Sequence, residues 1–398
     1  MLQTKRICVV GLGYIGLPTA ALLANRGYEV HGVDVVQNTV DIINRGEIHI
    51  AEPGLDIFVK SAVNSGKLKA DIKPCLADVF ILAVPTPFHK GFVPNIDYVV
   101  SATKAIAPYV KEGDIIILES TSPVGTTDKV EEVLKENSVD TSKLFIAHCP
   151  ERVLPGQIMR ELVENDHIVG GTTPEATAKT VEFYKTFVSG EVLCTDARTA
   201  EMAKLTENSF RDTNIAFANE LSILCDKFDI DVWELIKLTN RHPRVNVLNP
   251  GAGVGGHCIA VDPWFIVHAG GADAKIIKTA REVNTYKTEW SIEKIKNAAL
   301  NFEKENGRKA KVACMGLAFK PDIDDLRESP ALYITKRLIS DGLEVIAVEP
   351  NIQSYKDIEI IDYKKAIEEA DIVTFLVGHK EFKGLEIQTN LDFCGVLN

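Results

Sequence analysis

The stretch from Arg6 to Asp34 constrains this chain more than any other. An apolar, β-rich run, Arg6 to Val10, leads into Gly11-Leu12-Gly13-Tyr14-Ile15-Gly16. Leu17 to Asn25 has helical composition, Gly27 closes that helix, and a second strand, Glu29 to Val33, ends at Asp34. Strand, G-x-G-x-x-G, helix, strand, acid, in that order, is the pattern of a parallel βαβ unit that holds a dinucleotide. Gly11 permits the tight turn, Gly13 lets a pyrophosphate approach the backbone, and Gly16 lets helix and strand pack closely. The helix N-terminus then faces the phosphates, so Gly11, Gly13, Tyr14, Ile15 and Gly16 form the expected cofactor loop. Asp34 stands where an acid accepts from the adenine-ribose hydroxyls. No Arg or Lys follows it directly, which favours NAD over NADP.

Bulk properties narrow the setting. With 398 residues, 45% apolar and 25% charged, the chain is expected to form two or three domains with ordinary soluble cores. A net charge of −12 argues against nucleic acid or an anionic membrane as the main partner. The eight cysteines are Cys8, Cys75, Cys149, Cys194, Cys225, Cys258, Cys314 and Cys394. No two form a C-x-x-C pair, and Cys8 and Cys314 sit inside apolar runs. This reads as reduced, cytoplasmic thiols, with neither a disulfide framework nor a metal site. A strand begins almost at once, leaving no room for a signal peptide, and no apolar stretch is long enough to span a membrane.

Further strand-led units follow. Val79 to Val84 ends in Pro85-Thr86-Pro87, Asp114 to Leu118 ends in Glu119-Ser120-Thr121-Ser122-Pro123-Val124-Gly125, and Leu144 to Ala147 leads to Cys149-Pro150-Glu151-Arg152. Loops at the carboxyl ends of parallel strands face ligands, although each also reads as a turn with proline and hydroxyl caps. Asp196 to about Phe228 is expected to be one long helix capped by Asp196. On it Lys204 and Asn208 are four apart and share a face. Together they can donate to one developing oxyanion, and a solvated face would show the same spacing. A helix from Val232 to Thr239 leads to Arg241-His242-Pro243-Arg244 and then to Gly251-Ala252-Gly253-Val254-Gly255-Gly256-His257-Cys258, with Asp262 four residues on. These glycines let a ligand or a second chain segment approach the main chain. A thiol there is a nucleophile if something nearby stabilises the thiolate, and otherwise a buried structural cysteine.

Ala274 to Asn301 is another long helix, so two long helices between two α/β regions suggest a central spacer and dimer interface. A second strand-led unit begins at Arg308 to Met315, continues with a helix at Ala331 to Ile339 and a strand at Glu344 to Val348, and has a further strand at Asp371 to Val377. Its glycine fingerprint is incomplete, so no second NAD is expected there. The expected fold is α/β: two Rossmann-like domains joined by a central long-helix region. The expected boundaries are 1–195 for the NAD-binding domain, 196–303 for the helical dimerisation domain and 304–398 for the second Rossmann-like domain.

Several motifs together resemble the UDP-glucose/GDP-mannose dehydrogenase family along essentially the whole chain. They are Gly11 to Pro18, Glu119 to Gly125, Cys149 to Arg152, Glu201 to Asn208, Gly255 to Cys258, and Gly316 to Pro330. Arg45 to Ile50, Pro150 to Gly156, Leu205 to Asp212, Asn240 to Arg244 and Gly256 to Phe265 resemble the branch that oxidises UDP-N-acetyl-D-mannosamine. The resemblance implies a four-electron oxidation of the sugar C6 hydroxyl to a carboxylate, with two NAD reduced per turnover. It implies a homodimer or larger homo-oligomer and a C-terminal unit that binds the UDP-sugar.

By the same resemblance Cys258 matches the nucleophile that forms a thiohemiacetal and then a thioester. Lys204 and Asn208 match the oxyanion donors, Asp262 a carboxylate that orients or activates water, and Thr121 and Glu151 the hydroxyl and acid near that water. Thr86, Thr121 and Arg327 are expected on the cofactor side. Glu151, Arg152, Lys204, Asn208, Arg244, Gly255 and Lys320 are expected to contact the nucleotide sugar. Arg241 lies close enough to Arg244 to take its role. His257 either tunes the thiol or shapes an acetamido pocket. The chain stops at Phe393 to Asn398, which suggests a short final strand. Three other readings stand beside this one: the same chemistry on UDP-N-acetylglucosamine, a two-electron hydroxyacid dehydrogenase that needs no Cys258, and an NAD-sensing binding protein.

Overall fold

The computed structural model describes residues 5–256, 258–387 and 390–397. The chain divides into two compact units, one ending at Thr206 and the other beginning at Glu207. The first unit is built on β1 (Arg6–Val10), β2 (Glu29–Val33), β3 (Leu68–Asp71) and β4 (Val79–Leu82). A short hairpin of β5 (Phe88–His89) and β6 (Val93–Pro94) precedes β7 (Ile115–Leu118), β8 (Phe145–His148), β9 (His167–Gly171) and β10 (Val192–Asp196). Its helices are α1 (Gly16–Asn25), α2 (Gln37–Asn44), α3 (Leu55–Asn64), α4 (Asp97–Ile106), α5 (Thr126–Glu136), α6 (Ile158–Glu164) and α7 (Pro174–Tyr184).

One sheet runs β10-β9-β8-β7-β4-β1-β2-β3. Its pairs are parallel except β8 with β9, an inversion that strand composition does not signal. The strand order reverses between β1 and β4, and ligands bind beyond the carboxyl ends of strands at such a point. Period-two alternation sends Ile7, Val9, Val79, Ile81, Ile115 and Ile117 into one core with α1, α3, α6 and α7. Cys8, Val10, Phe80, Leu82, Ile116 and Leu118 enter the opposite core with α4 and α5. Burial on both faces explains why these strands read as unbroken apolar runs. Each such aliphatic or aromatic side chain contributes about 1.5–3 kcal/mol. Burial pushes the Cys8 thiol up to about 12, so this cysteine is a core filler rather than a nucleophile.

Helix α8 (Ala197–Phe228) passes from the first unit into the second. Asp196 holds its start, accepting from the Thr199 amide at 3.0 Å and the Thr199 hydroxyl at 2.6 Å. The second unit continues with α9 (Val232–Thr239), α10 (Asp262–Gly270) and α11 (Lys275–Asn306). Asp231 caps α9 through the amides of Trp233 and Glu234. Helix α11 runs five residues past its expected end at Asn301 and stops at Gly307, whose φ is 69°. Then come β11 (Lys311–Met315), α12 (Pro330–Ser340), β12 (Glu344–Val348), α13 (Tyr363–Glu369), β13 (Ile372–Phe375) and β14 (Asn390–Asp392). The all-parallel order is β12-β11-β13-β14. These are the two Rossmann-like sheets expected, with the long helices between them in sequence. The final strand is short, and Asp392 anchors the residues after it by accepting the amides of Cys394, Gly395 and Leu397.

The first turn of the second sheet repeats that of the first. Gly11 and Gly316 have φ of 93° and 92° and donate to Val33 and Val348 at 2.8 and 2.9 Å. Leu12 donates to Asp34 at 3.2 Å, and Leu317 donates to Glu349 at 2.8 Å. Glu349 Oε2 also takes the Ala318 amide and the ring of buried His379. That carboxylate is spent on its own loop and on His379.

Candidate active site

In the first unit the nucleotide loop is tightly specified. A Cβ on Gly11 would lie 2.5 Å from the Ala83 carbonyl oxygen, and one on Gly16 would lie 1.8 Å from that of Gly11. A Cβ on Gly13 would meet no protein atom within 4 Å. Two of these glycines therefore serve the fold, and the third leaves open space beside the turn. Helix α1 begins at Gly16, and its cap residue Ile15 makes no side-chain capping bond; the Leu17 amide donates back to the Gly13 carbonyl at 3.1 Å, and Pro18 carries no amide hydrogen. Asp34 is held by the Leu12 and Val36 amides, with Val35 and Val36 exposed beside it. A helix N-terminus, an open glycine and a fixed acid fit NAD.

Next to this turn, loops from neighbouring strands are tied together. Thr86 Oγ1 donates to the Thr121 carbonyl at 2.5 Å, and Ser120 Oγ to that of Val84 at 2.6 Å. Glu201 on α8 binds the same segment further on: Oε1 accepts from the Thr127 amide and hydroxyl, Oε2 from the Gly125 amide. Lys204 follows one turn later on that helix.

Glu151 is buried beyond β8, and its Oε1 accepts the Arg152 amide at 2.7 Å. Burial raises its carboxyl to about 7, although the Arg152 amide and the nearby Lys204 ammonium pull the other way. The direction of this shift was not legible in the sequence. Arg152 itself turns a guanidinium nitrogen to the Asp166 carbonyl at 3.1 Å. Two further buried acids fix the loop that carries Glu151. Glu52 accepts the amides of Gly156 and Ile158, both at 2.8 Å, and Glu161 that of Leu154 at 2.7 Å.

In the second unit Asn208 Nδ2 donates to Asp262 Oδ2 at 2.5 Å, both residues buried. Asp262 opens α10, with Pro263 in its first turn. The Cys258 carbonyl accepts the amides of Val261 at 3.1 Å and Asp262 at 2.9 Å, so the exposed thiol and the carboxylate belong to one turn. His257 lies outside the described residues. Of the two approaches expected at the preceding glycines, a ligand or a second chain segment, the structure shows the second. A Cβ on Gly255 would strike the Glu328 carbonyl oxygen at 2.6 Å and Pro330 at 2.7 Å, and one on Gly256 would meet the Phe319 ring at 3.0 Å. The space a Cβ would need is taken by the Phe319–Pro330 segment of the same unit. That segment carries Lys320 and Arg327, and Arg327 forms a two-pronged pair with Asp325, 2.6 Å at the closest. Arg244 is exposed in a loop closed by Asn240, which accepts the Val247 amide at 2.7 Å and donates to the Val247 carbonyl at 2.9 Å.

A cluster of Asp322, His379 and Glu381 places possible metal-ligand atoms within 4.8 Å of one another. His379 Nδ1 accepts the Asp322 amide at 3.0 Å, and Nε2 faces Glu349 at 3.1 Å. Both ring nitrogens are engaged, so this histidine does not read as a ligand.

Residues 5–188 match the NAD binding domain of the UDP-glucose/GDP-mannose dehydrogenase family, 198–286 its central domain and 313–394 its UDP binding domain. The chain belongs to that family. It is an NAD-dependent UDP-sugar dehydrogenase, and the Gly11–Gly16 turn lies in its NAD binding domain. The UDP-N-acetyl-D-mannosamine dehydrogenase of Campylobacter jejuni is 57% identical over 412 residues, covering 99% of this chain and 100% of that protein. An NDP-N-acetyl-D-galactosaminuronic acid dehydrogenase of Ralstonia nicotianae is 51% identical, covering 96% and 92%. The solved UDP-N-acetyl-mannosamine dehydrogenase Cap5O from S. aureus has a TM-score of 0.87 at 41% identity, covering 99% and 96%. Among the described residues of this UDP-sugar dehydrogenase, no helix is long and apolar enough to cross a membrane.

Proposed function

We propose that this dehydrogenase oxidises C6 of UDP-N-acetyl-D-mannosamine through the aldehyde to the carboxylate, yielding UDP-N-acetyl-D-mannosaminuronate for surface polysaccharide synthesis. The observation that carries the reading is the Asn208–Asp262 bond on the turn that presents Cys258. It gathers an amide donor, a carboxylate and a thiol, which a two-electron hydroxyacid dehydrogenase or a binding protein leaves without work. The identity to a UDP-N-acetyl-D-mannosamine dehydrogenase supports the substrate.

NAD, when bound, supplies the acceptor for both hydrides. Lys204 takes part in removing the C6 hydroxyl proton as the first hydride leaves. Cys258 sulfur then bonds to the aldehyde carbon, the thiol proton passing to the carbonyl oxygen. That hydroxyl gives up its proton to solvent as the second hydride leaves, Lys204 and Asn208 donating to the oxygen while it carries charge, and a thioester remains. Water adds to the thioester, its oxygen–carbon bond forming as the carbon–sulfur bond breaks. Asp262 and Thr121 orient the water, Glu151 takes its proton, and the departing sulfur ends as the thiol. Lys320, Arg152 and Arg244 bind the nucleotide sugar, Gly255 lines its site, and Arg327 contributes on the cofactor side.

The assembly we infer is a homodimer in the cytoplasm. Phe210, Phe217 and Leu224 recur every seventh residue of α8 and are exposed, at 69%, 56% and 38%. An apolar stripe of that kind on a long helix suits a second copy. Eight cysteines with no disulfide among them suit a reducing compartment. Light scattering of the wild type and of Phe217→Glu tests the dimer.

The deciding experiment is a substrate panel of UDP-N-acetylmannosamine, UDP-N-acetylglucosamine and UDP-N-acetylgalactosamine, with NADH counted per sugar. Two NADH and preference for the manno epimer are expected. Preference for another epimer overturns the substrate, and one NADH overturns the four-electron course. Cys258→Ser is expected to lose net turnover, and full activity in that variant refutes the thioester route.

A further inference from the structure

Behind Glu151 lies a second buried acid that the chemistry above does not use. Glu119 directly follows β7, and Leu118 pairs in register with His148 of β8, so Glu119 sits on the strand next to the segment carrying Glu151. Its Oε1 accepts the Tyr184 hydroxyl at 2.8 Å, while its Oε2 is buried without a hydrogen-bond partner. Cys149 packs in the same cluster, its sulfur 3.9 Å from His167 Nδ1, and the His167 and Tyr184 rings are 5.4 Å apart. A fully buried carboxyl with one unpartnered oxygen is costly to keep charged. Nothing in the fold requires an acid here, since a neutral amide would fill the same space.

We infer that Glu119 is a positioning residue for the reaction: it shares a single proton with Glu151 across this cluster and so sets how much of Glu151 is ionised. The inference rests on the reading of Glu151 as the acceptor of the water proton. The groups facing the pair are the Tyr184 hydroxyl from α7, Cys149 and Arg152 from the segment after β8, His167 from β9 and Lys204 from α8. His148, adjacent on β8, is buried and neutral. Burial and then the Glu151 charge raise Glu119, the Tyr184 hydroxyl opposes both, and the net is a rise to about 8. Two buried carboxyls that titrate so close together lose their protons as a pair. With one proton between them, the negative charge is divided over two sites. When water's proton arrives on Glu151, the pair holds two protons and returns one to solvent. Tyr184 thereby biases where the charge lies without touching substrate.

The test is the pH dependence of kcat for the full chain with UDP-N-acetylmannosamine and NAD, or with whichever panel sugar supports turnover. In Glu119→Gln the acidic limb is expected to move down by roughly half to one pH unit and narrow to a one-proton shape, because Glu151 then ionises alone. Tyr184→Phe keeps the ring in its aromatic cluster and covers the case in which Glu119→Gln does not fold. It strengthens the hold of Glu119 on the proton and is expected to move the limb in the same direction by less. A purely structural role lowers kcat equally at every pH, and an unmoved limb in whichever variants fold overturns the pairing. Glu151→Gln separates the two ideas. If it is inactive while the other limbs stay put, only the pairing fails. If it keeps both turnover and limb, the role of Glu151 fails and the pairing with it.

Discussion

Asn208 donates its side-chain amide to Asp262 across 2.5 Å, joining α8 to the first residue of α10 inside the second unit. One amide hydrogen is committed to the carboxylate, and the proposed mechanism gives the other to the oxyanion. Asp262→Asn sets two amides against each other and removes the carboxylate in one change. Turnover is expected to fall by roughly 10²- to 10³-fold, the scale of losing one acid–base or oxyanion group. NAD affinity, read by quenching of protein fluorescence, should stay near wild type. A variant that loses both equally places Asp262 in the fold rather than the chemistry.

The nucleotide turn separates structure from binding at adjacent glycines. Gly13→Ala adds a methyl group where no protein atom lies within 4 Å, so the melting temperature should be unchanged. NAD affinity should drop by about tenfold or more, since about 1.4 kcal/mol of lost binding is enough. Gly16→Ala drives a Cβ to 1.8 Å from the Gly11 carbonyl oxygen and should lower the melting temperature itself. Calorimetry with and without NAD distinguishes the two, and equal melting temperatures for both variants would contradict the packing argument.

Glu52 lies 104 residues from Gly156 in sequence, yet it holds the loop that carries Glu151. Glu52→Ala strands two backbone amides and should destabilise the first unit by about 1–3 kcal/mol. The expected signature is a raised KM for the nucleotide sugar with KM for NAD little changed, because the glycine turn is elsewhere in the sheet. Steady-state kinetics with each substrate varied in turn checks it. A larger rise for NAD runs against the assignment.

How much the sequence disclosed depends on the range over which each signal acts. The turn Gly11 to Gly16 with Asp34 is local, and strand β1, strand β2 and helix α9 fall on the expected residues because period and caps are local too. Glu52 and Glu161 look like ordinary surface acids in the chain, and the motifs that contain Glu119 and Glu201 do not disclose what those acids bind, since their partners arrive only when strands and helices pack. The same holds for Glu349, whose partner His379 comes from beyond β13. The glycines before Cys258 signalled close approach correctly, but not that Phe319 and Pro330 make it. Lys204 and Asn208 were legible as one face of α8, while the bond from Asn208 to Asp262 required the turn after Cys258 to form.

Stability against pH provides an independent reading of the buried acids. Glu119 is raised to about 8 and Glu151 to about 7, both from 4.5, with burial the leading cause in each. Across that window the folded chain keeps protons that the unfolded chain has lost, so the pair's contribution to stability declines as pH rises. His148, pushed down to about 3 by burial from 6.5, acts in the opposite sense below pH 6.5. The comparison therefore belongs between pH 6.5 and about 8, where the His148 slope dies away and is in any case common to both proteins. There the melting temperature of the wild type should fall with pH more steeply than that of Glu119→Gln, because the variant has one buried acid fewer to discharge. On the pairing inferred above Glu151 ionises lower in the variant, which adds to the difference in the same sense, and the remaining titrating groups cancel. Calorimetric scans at half-unit pH steps give the two slopes, and parallel lines would show that Glu119 does not titrate in this range.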